Sequence, residues 1–461
     1  MCDHDSGCGS SFERRGVIMQ TPIADFVKKY AKNHGIRFHM PGHKGEPFLG
    51  CESYDVTEIK GADALYEADG IIAESEKNAT KLFETGRTLF STEGSSHCIR
   101  AMLYLVMQYR KRKYPYIMAA RNVHKAFLYA AALIGFEVEW MWPEKRESLC
   151  GCSITAEQVE HMLQNAKELP AAIYLTSPDY LGEQADIRGI AKICHRYGVL
   201  LAVDNAHGAY LHFLEPAAHP IDLGADICCD SAHKTLPVLT GGAYLQIAAS
   251  APAYLHEHAK QAMALFGSTS PSYLILSSLD LCNHYLAEGY RERLAKTVQE
   301  IQDTKRKLRE NGWCVEEKEA LKITIKAPKQ LPAYVLAEKL RKEQIECEYA
   351  DAQYLVCMVT PENRASDLQR LVETMGKNFY GEPEDVDIKP LIAEQAVSIR
   401  EAVFAEHELV PIEQAIGKIC GAPTVSCPPA IPIVVSGERI TPDAAEVFRY
   451  YGITKVEILK N

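Results

Sequence analysis

Between about residue 70 and residue 310, short apolar runs alternate with stretches of helical periodicity. Apolar runs separated in this way are typical of parallel strands that are joined by crossover helices and covered on both faces. A chain of 461 residues is long enough for a large core and for more than one domain. The alternation therefore predicts an α/β fold whose large domain is built on a mostly parallel sheet.

The pattern changes after a long helical stretch from Arg291 to Asn311. Between Trp313 and Phe379 the order becomes β, α, β, α, which predicts a smaller C-terminal α+β domain. A short amphipathic helix is expected from Pro22 to Lys32. The predicted divisions are a loose N-terminal tail (1–18), an N-terminal arm (19–69), the large domain (70–311) and the C-terminal domain (312–461).

Charge and cysteine usage exclude several classes of protein. The formal net charge of −11 argues against nucleic acid as a partner. No apolar window is long enough to span a bilayer, and the N-terminus lacks the apolar core of a secretory signal, so we expect a cytoplasmic protein. The 15 cysteines are scattered through apolar runs, as reduced core residues are. The close pairs Cys150/Cys152 and Cys2/Cys8 lack a second pair or a histidine at zinc spacing, so no metal site is predicted.

Four apolar runs of the large domain each end in polar residues that can do chemistry. Parallel sheets bind ligands outside the carboxyl ends of their strands, so these residues are candidates for one common site. The runs and the residues that follow them are YPYIMAA with Arg121–His124, AAIYL with Thr176–Pro178, VLLAV with Asp204–His207, and ADICCD with Ser231–Lys234.

Lys234 lies between one apolar run and the next, in DSAHKTLPVLTGGAYL. A lysine in that position is expected near the interior, where it loses its charge readily and can act as a nucleophilic amine. A fifth polar segment, STEGSSHCIR, places Gly94, Ser95 and Ser96 just before a helical pattern. There they can offer backbone N–H groups and hydroxyls to a phosphate, although such a turn is also a common helix cap.

One cofactor uses all of these groups. Pyridoxal phosphate needs a lysine amine, a carboxylate beside its ring nitrogen, a flat group against its ring and an anion site for its phosphate. Lys234, Asp204, His124 and the Gly94–Ser96 segment can fill those roles in turn. Each also has a structural interpretation: a lysine that reaches solvent, an aspartate that caps a helix, and a histidine at a helix start.

Six motifs resemble one known family in their order and spacing: FHMPGHKG, RNVHKAF, VDNAHGAY, SAHKTLP, STSPSYLILSSLD and CPPAIPIVVSGERIT. They are similar to the bacterial Orn/Lys/Arg decarboxylases, which are fold type I pyridoxal-phosphate enzymes. The resemblance runs from about Met19 to the C-terminus. Nothing resembles the receiver-like domain of the long members, so the short form is expected, with residues 1–18 as an extension or a misassigned start.

The resemblance implies a role for each candidate residue. Lys234 forms the Schiff base, Asp204 pairs with the pyridinium nitrogen, and His124 stacks on the ring. The reaction also needs a proton at the substrate Cα, which Lys234, His233 or another positioned acid can return. Thr269 approaches the phosphate from a neighbouring subunit, and the segment that contains His43 lines the entrance, so a homodimer or larger homo-oligomer is expected. The implied cofactor-binding set is Gly94, Ser95, Ser96, His124, Asp204, Ala206, His207, Ser231, His233, Lys234 and Thr269.

The chain departs from the family pattern in three motifs. Where relatives commonly read Gly-Ser/Thr-Thr-x-x-Asn in the phosphate turn, this chain has Gly94-Ser95-Ser96-His97-Cys98-Ile99. Asp-Glu-Ala-His becomes Asp204-Asn205-Ala206-His207, and Pro-Pro-Gly-Ile-Pro becomes Pro428-Pro429-Ala430-Ile431-Pro432. The groups that the chemistry needs are kept. The phosphate turn is expected to lack one polar contact to the cofactor.

The expected activity is decarboxylation of arginine, lysine or ornithine to the amine and CO2, in polyamine-related metabolism. Two alternatives remain open: another pyridoxal-phosphate reaction, by an aminotransferase or a carbon–sulfur lyase, and a catalytically silent regulatory homologue. Asp55, Glu58 and Asp63 can meet the distal cation of the substrate, but a solvated loop explains them equally well.

Overall fold

The structure is a computed structural model that describes residues 19–110, 115–144, 148–383, 391–422, 426–427 and 431–460. The predicted tail at 1–18, which includes Cys2 and Cys8, and the substituted segment 428–430 lie outside the described residues.

The elements follow in chain order. The helices are α1 (Pro22–Lys32), α2 (Ile71–Leu82), α3 (Gly94–Tyr109), α4 (Lys125–Ile134), α5 (Ala156–Asn165), α6 (Ile187–Arg196), α7 (Ala232–Thr235), α8 (Ala253–Phe266), α9 (Tyr273–Ala287), α10 (Tyr290–Glu310), α11 (Ala333–Lys342), α12 (Ala365–Met375), α13 (Ile399–Phe404), α14 (Ile412–Ala415) and α15 (Pro442–Tyr450). The strands are β1 (Arg87–Ser91), β2 (Tyr116–Ala120), β3 (Glu137–Met141), β4 (Ala172–Thr176), β5 (Leu200–Asp204), β6 (Ile227–Asp230), β7 (Ala243–Ile247), β8 (Cys314–Glu316), β9 (Lys322–Lys326), β10 (Tyr349–Ala350), β11 (Tyr354–Met358), β12 (His407–Pro411), β13 (Ser426–Cys427), β14 (Ile431–Pro432) and β15 (Lys455–Leu459). Short 3₁₀ helices lie at Glu52–Tyr54, Leu65–Glu67 and Leu211–Phe213.

A seven-stranded sheet forms the centre of the large domain, in the order β1-β7-β6-β5-β4-β2-β3. Strand β7 is antiparallel to both of its neighbours, and the pairs from β6 to β3 are parallel. The predicted mostly parallel sheet is confirmed.

Helices cover both faces of this sheet, which explains why its strands are apolar throughout. Successive side chains of a strand point to opposite faces. In β5, Leu200 and Ala202 pack in the core beneath α3, α4 and α8, whereas Leu201 and Val203 pack in the core beneath α5 and α6. All five residues of β5 are buried.

The N-terminal arm is anchored to the large domain at the start of α1. The backbone N–H groups of Ile23 and Ala24 donate to Asp280 Oδ2 at 2.9 Å each, and Ser75 Oγ donates to Asp280 Oδ1. Asp280 of α9 is fully buried. It supplies the hydrogen-bond acceptor that the first turn of a helix lacks.

The C-terminal region contains an antiparallel sheet in the order β10-β11-β9-β8, with α11 and α12. The observed order is β, β, α, β, β, α rather than the predicted β, α, β, α. Each expected strand is a pair of antiparallel strands. The extra strands β8 and β10 have three and two residues, which is too short for a periodic pattern to stand out.

A buried ion pair joins the last part of the chain to the large domain. Arg121 Nη2 lies 3.2 Å from Glu438 Oε2, and its guanidinium also donates to the carbonyl oxygens of Pro432 and Ile433. The same guanidinium lies 5.0 Å from the centre of the Trp140 ring. Both charged side chains are at most 3% exposed, so neither charge is solvated by bulk water.

The described cysteines are free thiols, and most of them are buried. No helix in the described part of the chain combines the length and the apolar character needed to cross a bilayer.

Candidate active site

The carboxyl ends of β2, β4, β5 and β6 open onto one cavity of about 420 Å³. Each strand contributes polar residues to its wall, because the carboxyl ends of parallel strands meet at one edge of the sheet. The lining includes Asn122, His124, Thr176, Asp204, Ala206, His207, Ser231, His233 and Lys234. The structure thus brings together the residues that follow the four apolar runs.

Lys234 lies on the short helix α7, directly after β6, and its side chain forms part of the cavity wall. Its Nζ is 3.1 Å from His207 Nε2. Burial lowers the pKa of Lys234, and the nearby charge of Asp204 partly opposes this shift. Burial also holds the pKa of His207 well below its ordinary value. A neutral His207 can therefore accept a hydrogen bond from the lysine amine.

Asp204 ends β5 and is 2% exposed. Its Oδ1 accepts hydrogen bonds from the backbone N–H of Ala206 at 3.2 Å and from Cys229 Sγ at 3.6 Å. Burial raises the pKa of Asp204, and the charge of Lys234 opposes the shift. The side chain forms a local turn here rather than the α-helix cap of the alternative interpretation.

His124 lies at the N-terminus of α4 and also lines the cavity. Its Nδ1 accepts a hydrogen bond from the backbone N–H of Ala126 at 3.1 Å, so its proton is on Nε2. Burial, with a smaller contribution from the charge of Lys234, lowers the pKa of His124 to about 4. The structural interpretation is correct for His124, since it caps the start of α4, and the same residue presents a neutral, flat ring to the cavity.

The predicted phosphate turn is the first turn of α3. Gly94 begins the helix with φ +71°, a conformation that glycine adopts without strain, and no side chain caps this N-terminus. Ser95 and Ser96 line the cavity, and Ser95 Oγ accepts a hydrogen bond from Ser231 Oγ at 2.8 Å. Opposite them, His233 Nδ1 donates to the carbonyl oxygen of Gly242 at 2.9 Å. The uncapped end of a 16-residue helix is a favourable place for an anion.

Three polar atoms of the cavity residues are buried and have no hydrogen-bond partner in the part of the chain that the structure describes: Asn122 Oδ1, Thr176 Oγ1 and His207 Nδ1. Buried polar atoms normally have partners, because an unsatisfied group costs about 1–3 kcal/mol. A polar ligand in the cavity would offer such atoms a partner.

Two family models match the chain. Residues 21–331 match the Orn/Lys/Arg decarboxylase major domain, and residues 377–457 match the Orn/Lys/Arg decarboxylase C-terminal domain. The chain belongs to the Orn/Lys/Arg decarboxylase family. The protein is accordingly an enzyme of the decarboxylase class, and the resemblance found in its motifs is confirmed.

Relatives match almost the whole chain. It is 29% identical to an arginine decarboxylase of Halalkalibacterium halodurans and 28% identical to an arginine decarboxylase of Bacillus subtilis, over 92% of this chain and 91% of each relative. Among solved structures, the lysine decarboxylase of Francisella novicida superposes with a TM-score of 0.78 at 18% identity, covering 96% of this chain and 81% of the other. Lysine decarboxylase A of Pseudomonas aeruginosa gives 0.79 at 17% identity, covering 95% and 80%. These structures confirm the predicted fold type.

Two departures from the family pattern lie away from the cavity. Ile99, at the position where relatives commonly have asparagine, is 1% exposed and packs in the apolar core on the α3 side of the sheet. Asn205 Nδ2 donates to Asp230 Oδ1 inside the fold. Neither side chain lines the cavity.

Several residues that the sequence predicts for the active site or its entrance do not line the cavity. Thr269 is exposed, although the preceding backbone N–H, that of Ser268, donates to Glu93 at the cavity edge at 2.6 Å. His43 Nε2 lies 3.1 Å from Asp55 Oδ2. The Asp63 carboxylate accepts hydrogen bonds from backbone N–H groups of the segment that follows it, between Ala64 and Ala73. It therefore organises this loop. Glu58 Oε2 accepts a hydrogen bond from the hydroxyl of its neighbour Thr57.

Glu348 and Tyr180 are site residues that the motif analysis missed. Glu348 comes from the C-terminal region, just before β10, and lines the cavity. Tyr180 Oη donates to Glu348 Oε1 at 2.6 Å, and its ring centre lies 4.9 Å from that of His207. No signal in the sequence marks Glu348, because it is one of several glutamates in a charged stretch.

Proposed function

We propose that this enzyme decarboxylates a basic amino acid, arginine, lysine or ornithine, to the corresponding amine and CO2, with pyridoxal phosphate held on Lys234. One observation carries the proposal: a half-buried lysine amine, a buried carboxylate, a neutral imidazole and an uncapped helix N-terminus converge on a single cavity.

The residues present fit the cofactor. The N-terminus of α3 with Ser95 and Ser96 suits the phosphate, and the ring of His124 suits stacking. The Asp204 carboxylate is suited to a protonated ring nitrogen, which would offset the cost of its burial. The unpartnered polar atoms of the cavity wall are further hydrogen-bonding groups for a polar ligand.

Bound pyridoxal phosphate supplies an electron sink for the electron pair that is left when the bond between Cα and the carboxylate breaks. Asp204 holds a proton on the ring nitrogen, because a buried carboxylate stabilises a positive charge beside it. His207 accepts a hydrogen bond from Lys234 Nζ and so orients the amine. Lys234 and His233 both line the cavity and are the candidates that return a proton to Cα.

Glu348 supports a basic substrate. It brings a carboxylate to the cavity from the C-terminal region, and Tyr180 donates a hydrogen bond to one of its oxygens. A distal ammonium or guanidinium is the natural partner of such a group. Arginine is the first substrate to test, because relatives of that name align with more than nine-tenths of the chain.

A homodimer belongs to the proposal. The arm exposes a group of large apolar side chains, each at least 79% exposed: Ile36, Phe38, Phe48 and Leu49. Exposed apolar groups of this size mark interaction surfaces, and a two-fold pair is the commonest assembly. In such a dimer Thr269 and His43 would complete the neighbouring site. A cytoplasmic location and a part in polyamine metabolism complete the proposal.

The test is CO2 release from carboxyl-labelled arginine, lysine and ornithine by the cofactor-loaded enzyme. We expect release from at least one of them, none from Lys234→Ala, and normal release from Lys125→Ala as the matched control on α4. Keto-acid formation without CO2 would show an aminotransferase, and bound cofactor without turnover would show a silent homologue. Borohydride fixation of the cofactor to a lysine other than Lys234 would refute the assignment.

A further inference from the structure

Two cysteines of the C-terminal region face each other, and one of them, Cys347, directly precedes the cavity residue Glu348. Cys357 lies in β11 and is 8% exposed, and Cys347 precedes β10 and is half-buried. Their sulfur atoms are 3.9 Å apart, and the thiol of Cys357 donates to Cys347 Sγ. A small reagent can therefore reach Cys347, and Cys357 is its immediate neighbour.

A β-bulge creates this pairing. Tyr349 pairs with Val356 in the β10–β11 ladder, and the backbone N–H of Glu348 also donates to the carbonyl oxygen of Val356 at 3.0 Å. Two residues on one strand therefore face one residue on the other, which defines a bulge. The extra residue shifts the register by one, so that Cys347 lies opposite Cys357.

The same bulge directs Glu348 toward the cavity, where it receives the hydrogen bond from Tyr180. A disulfide requires a sulfur–sulfur distance near 2.05 Å, so the two sulfur atoms would have to approach by about 1.9 Å. Cys347 is covalently next to Glu348. Any movement of the Cys347 backbone that closes the pair therefore also moves the backbone that places the Glu348 carboxylate.

We propose that Cys347 and Cys357 form a reversible disulfide by exchange with a small-molecule disulfide, and that this disulfide displaces Glu348 from the active cavity. The second half of the proposal rests on the proposed function, in which Glu348 meets the distal cation of the substrate. The first half does not depend on any activity.

The exchange balances with one molecule of oxidant. The Cys347 thiolate attacks one sulfur of the oxidant, the sulfur–sulfur bond of the oxidant breaks, and one thiol leaves. Cys357 then gives up its proton and attacks Cys347 Sγ in the mixed disulfide, which releases the second thiol. Two protein thiols are oxidised, and the small disulfide is reduced to two thiols. The hydrogen bond from Cys357 lowers the pKa of Cys347, which favours Cys347 as the attacking group.

The chemical test uses oxidised glutathione on the folded holoenzyme, followed by alkylation of free thiols and tryptic digestion. Both cysteines fall in one tryptic peptide, residues 343–364, because no lysine or arginine lies between Lys342 and Arg364. We expect this peptide to carry no alkyl group and to be two hydrogen atoms lighter than the reduced, unalkylated peptide. After dithiothreitol treatment and renewed alkylation, it should carry both alkyl groups. A peptide that stays doubly alkylated, or that carries only a glutathione adduct, would overturn the disulfide.

The functional test compares KM before and after oxidation. We expect a reversible rise on the order of tenfold, the scale of one hydrogen bond to a charged group, with a smaller change in kcat. Cys347→Ser should be insensitive to the oxidant, whereas Cys314→Ser, a half-buried cysteine on the same sheet, should respond like the wild type. A disulfide that forms without any change in KM would overturn the displacement of Glu348. If no amino acid is turned over, the proposed function fails, and the mass measurement still decides whether the disulfide forms.

Discussion

Glu348→Gln tests how the enzyme selects a basic substrate. Glutamine has nearly the same shape, and its carbonyl oxygen can still accept the hydrogen bond that Tyr180 donates at 2.6 Å. The wall of the cavity should therefore be preserved. The substitution removes only the negative charge that we assign to the distal cation of the substrate.

The size of the effect follows from the surroundings of Glu348. A hydrogen bond to a charged group contributes about 1.5–3 kcal/mol net. Because Glu348 is exposed to solvent in the single chain, the lower end applies. A loss of about 1.5 kcal/mol corresponds to a fall of about tenfold in kcat/KM. Turnover of a neutral amino acid of similar length should not change.

The assay measures kcat/KM for CO2 release from the basic substrate and from norleucine, with wild type, Glu348→Gln and a control variant. Glu346→Gln is the matched control, because Glu346 lies two residues away and pairs with Arg341 at 2.9 Å on the surface. The reasoning would be refuted if Glu348→Gln left the basic substrate unaffected, or if it reduced both substrates by the same factor.

Four further predictions can be checked separately. Asp204→Asn keeps the shape of a buried side chain but removes the charge beside the cofactor ring, so CO2 release should fall by orders of magnitude while thermal unfolding changes little. Because burial lowers the pKa of His124 to about 4, the His124 imidazole binds its proton at a higher pH in the unfolded chain than in the folded protein. Stability should therefore be lost between about pH 6.5 and pH 4, and His124→Gln should reduce that loss in urea titrations of the cofactor-free protein. Arg121→Met leaves its partner carboxylate buried and unpaired, which should lower the free energy of unfolding in urea by about 3–5 kcal/mol. Mixing a Lys234→Ala chain with a chain inactivated at Thr269 should restore some CO2 release if two subunits share each site, and would restore none if every chain builds its own complete site.

The sequence by itself determined the sheet and the part of the site that lies at its edge. Apolar runs bounded by polar residues predict buried parallel strands, and parallel strands end at a common edge. Asp204, which ends β5, could therefore be placed beside Ser231 and Lys234, which follow β6, without coordinates. The Gly94–Ser96 turn was found in the same way, because the helix that follows it is strongly apolar.

The tertiary structure alone decided what closes the cavity from the other side. Glu348 reaches it through a bulge between the two-residue strand β10 and its neighbour β11, and its sequence neighbours resemble an ordinary charged surface. Thr269 carries no local feature that shows whether it serves its own cavity or that of a neighbour. Local patterns report which residues share a strand or a helix face. Contacts between distant segments depend on how whole domains pack, and a single sequence does not encode that packing as a repeating pattern.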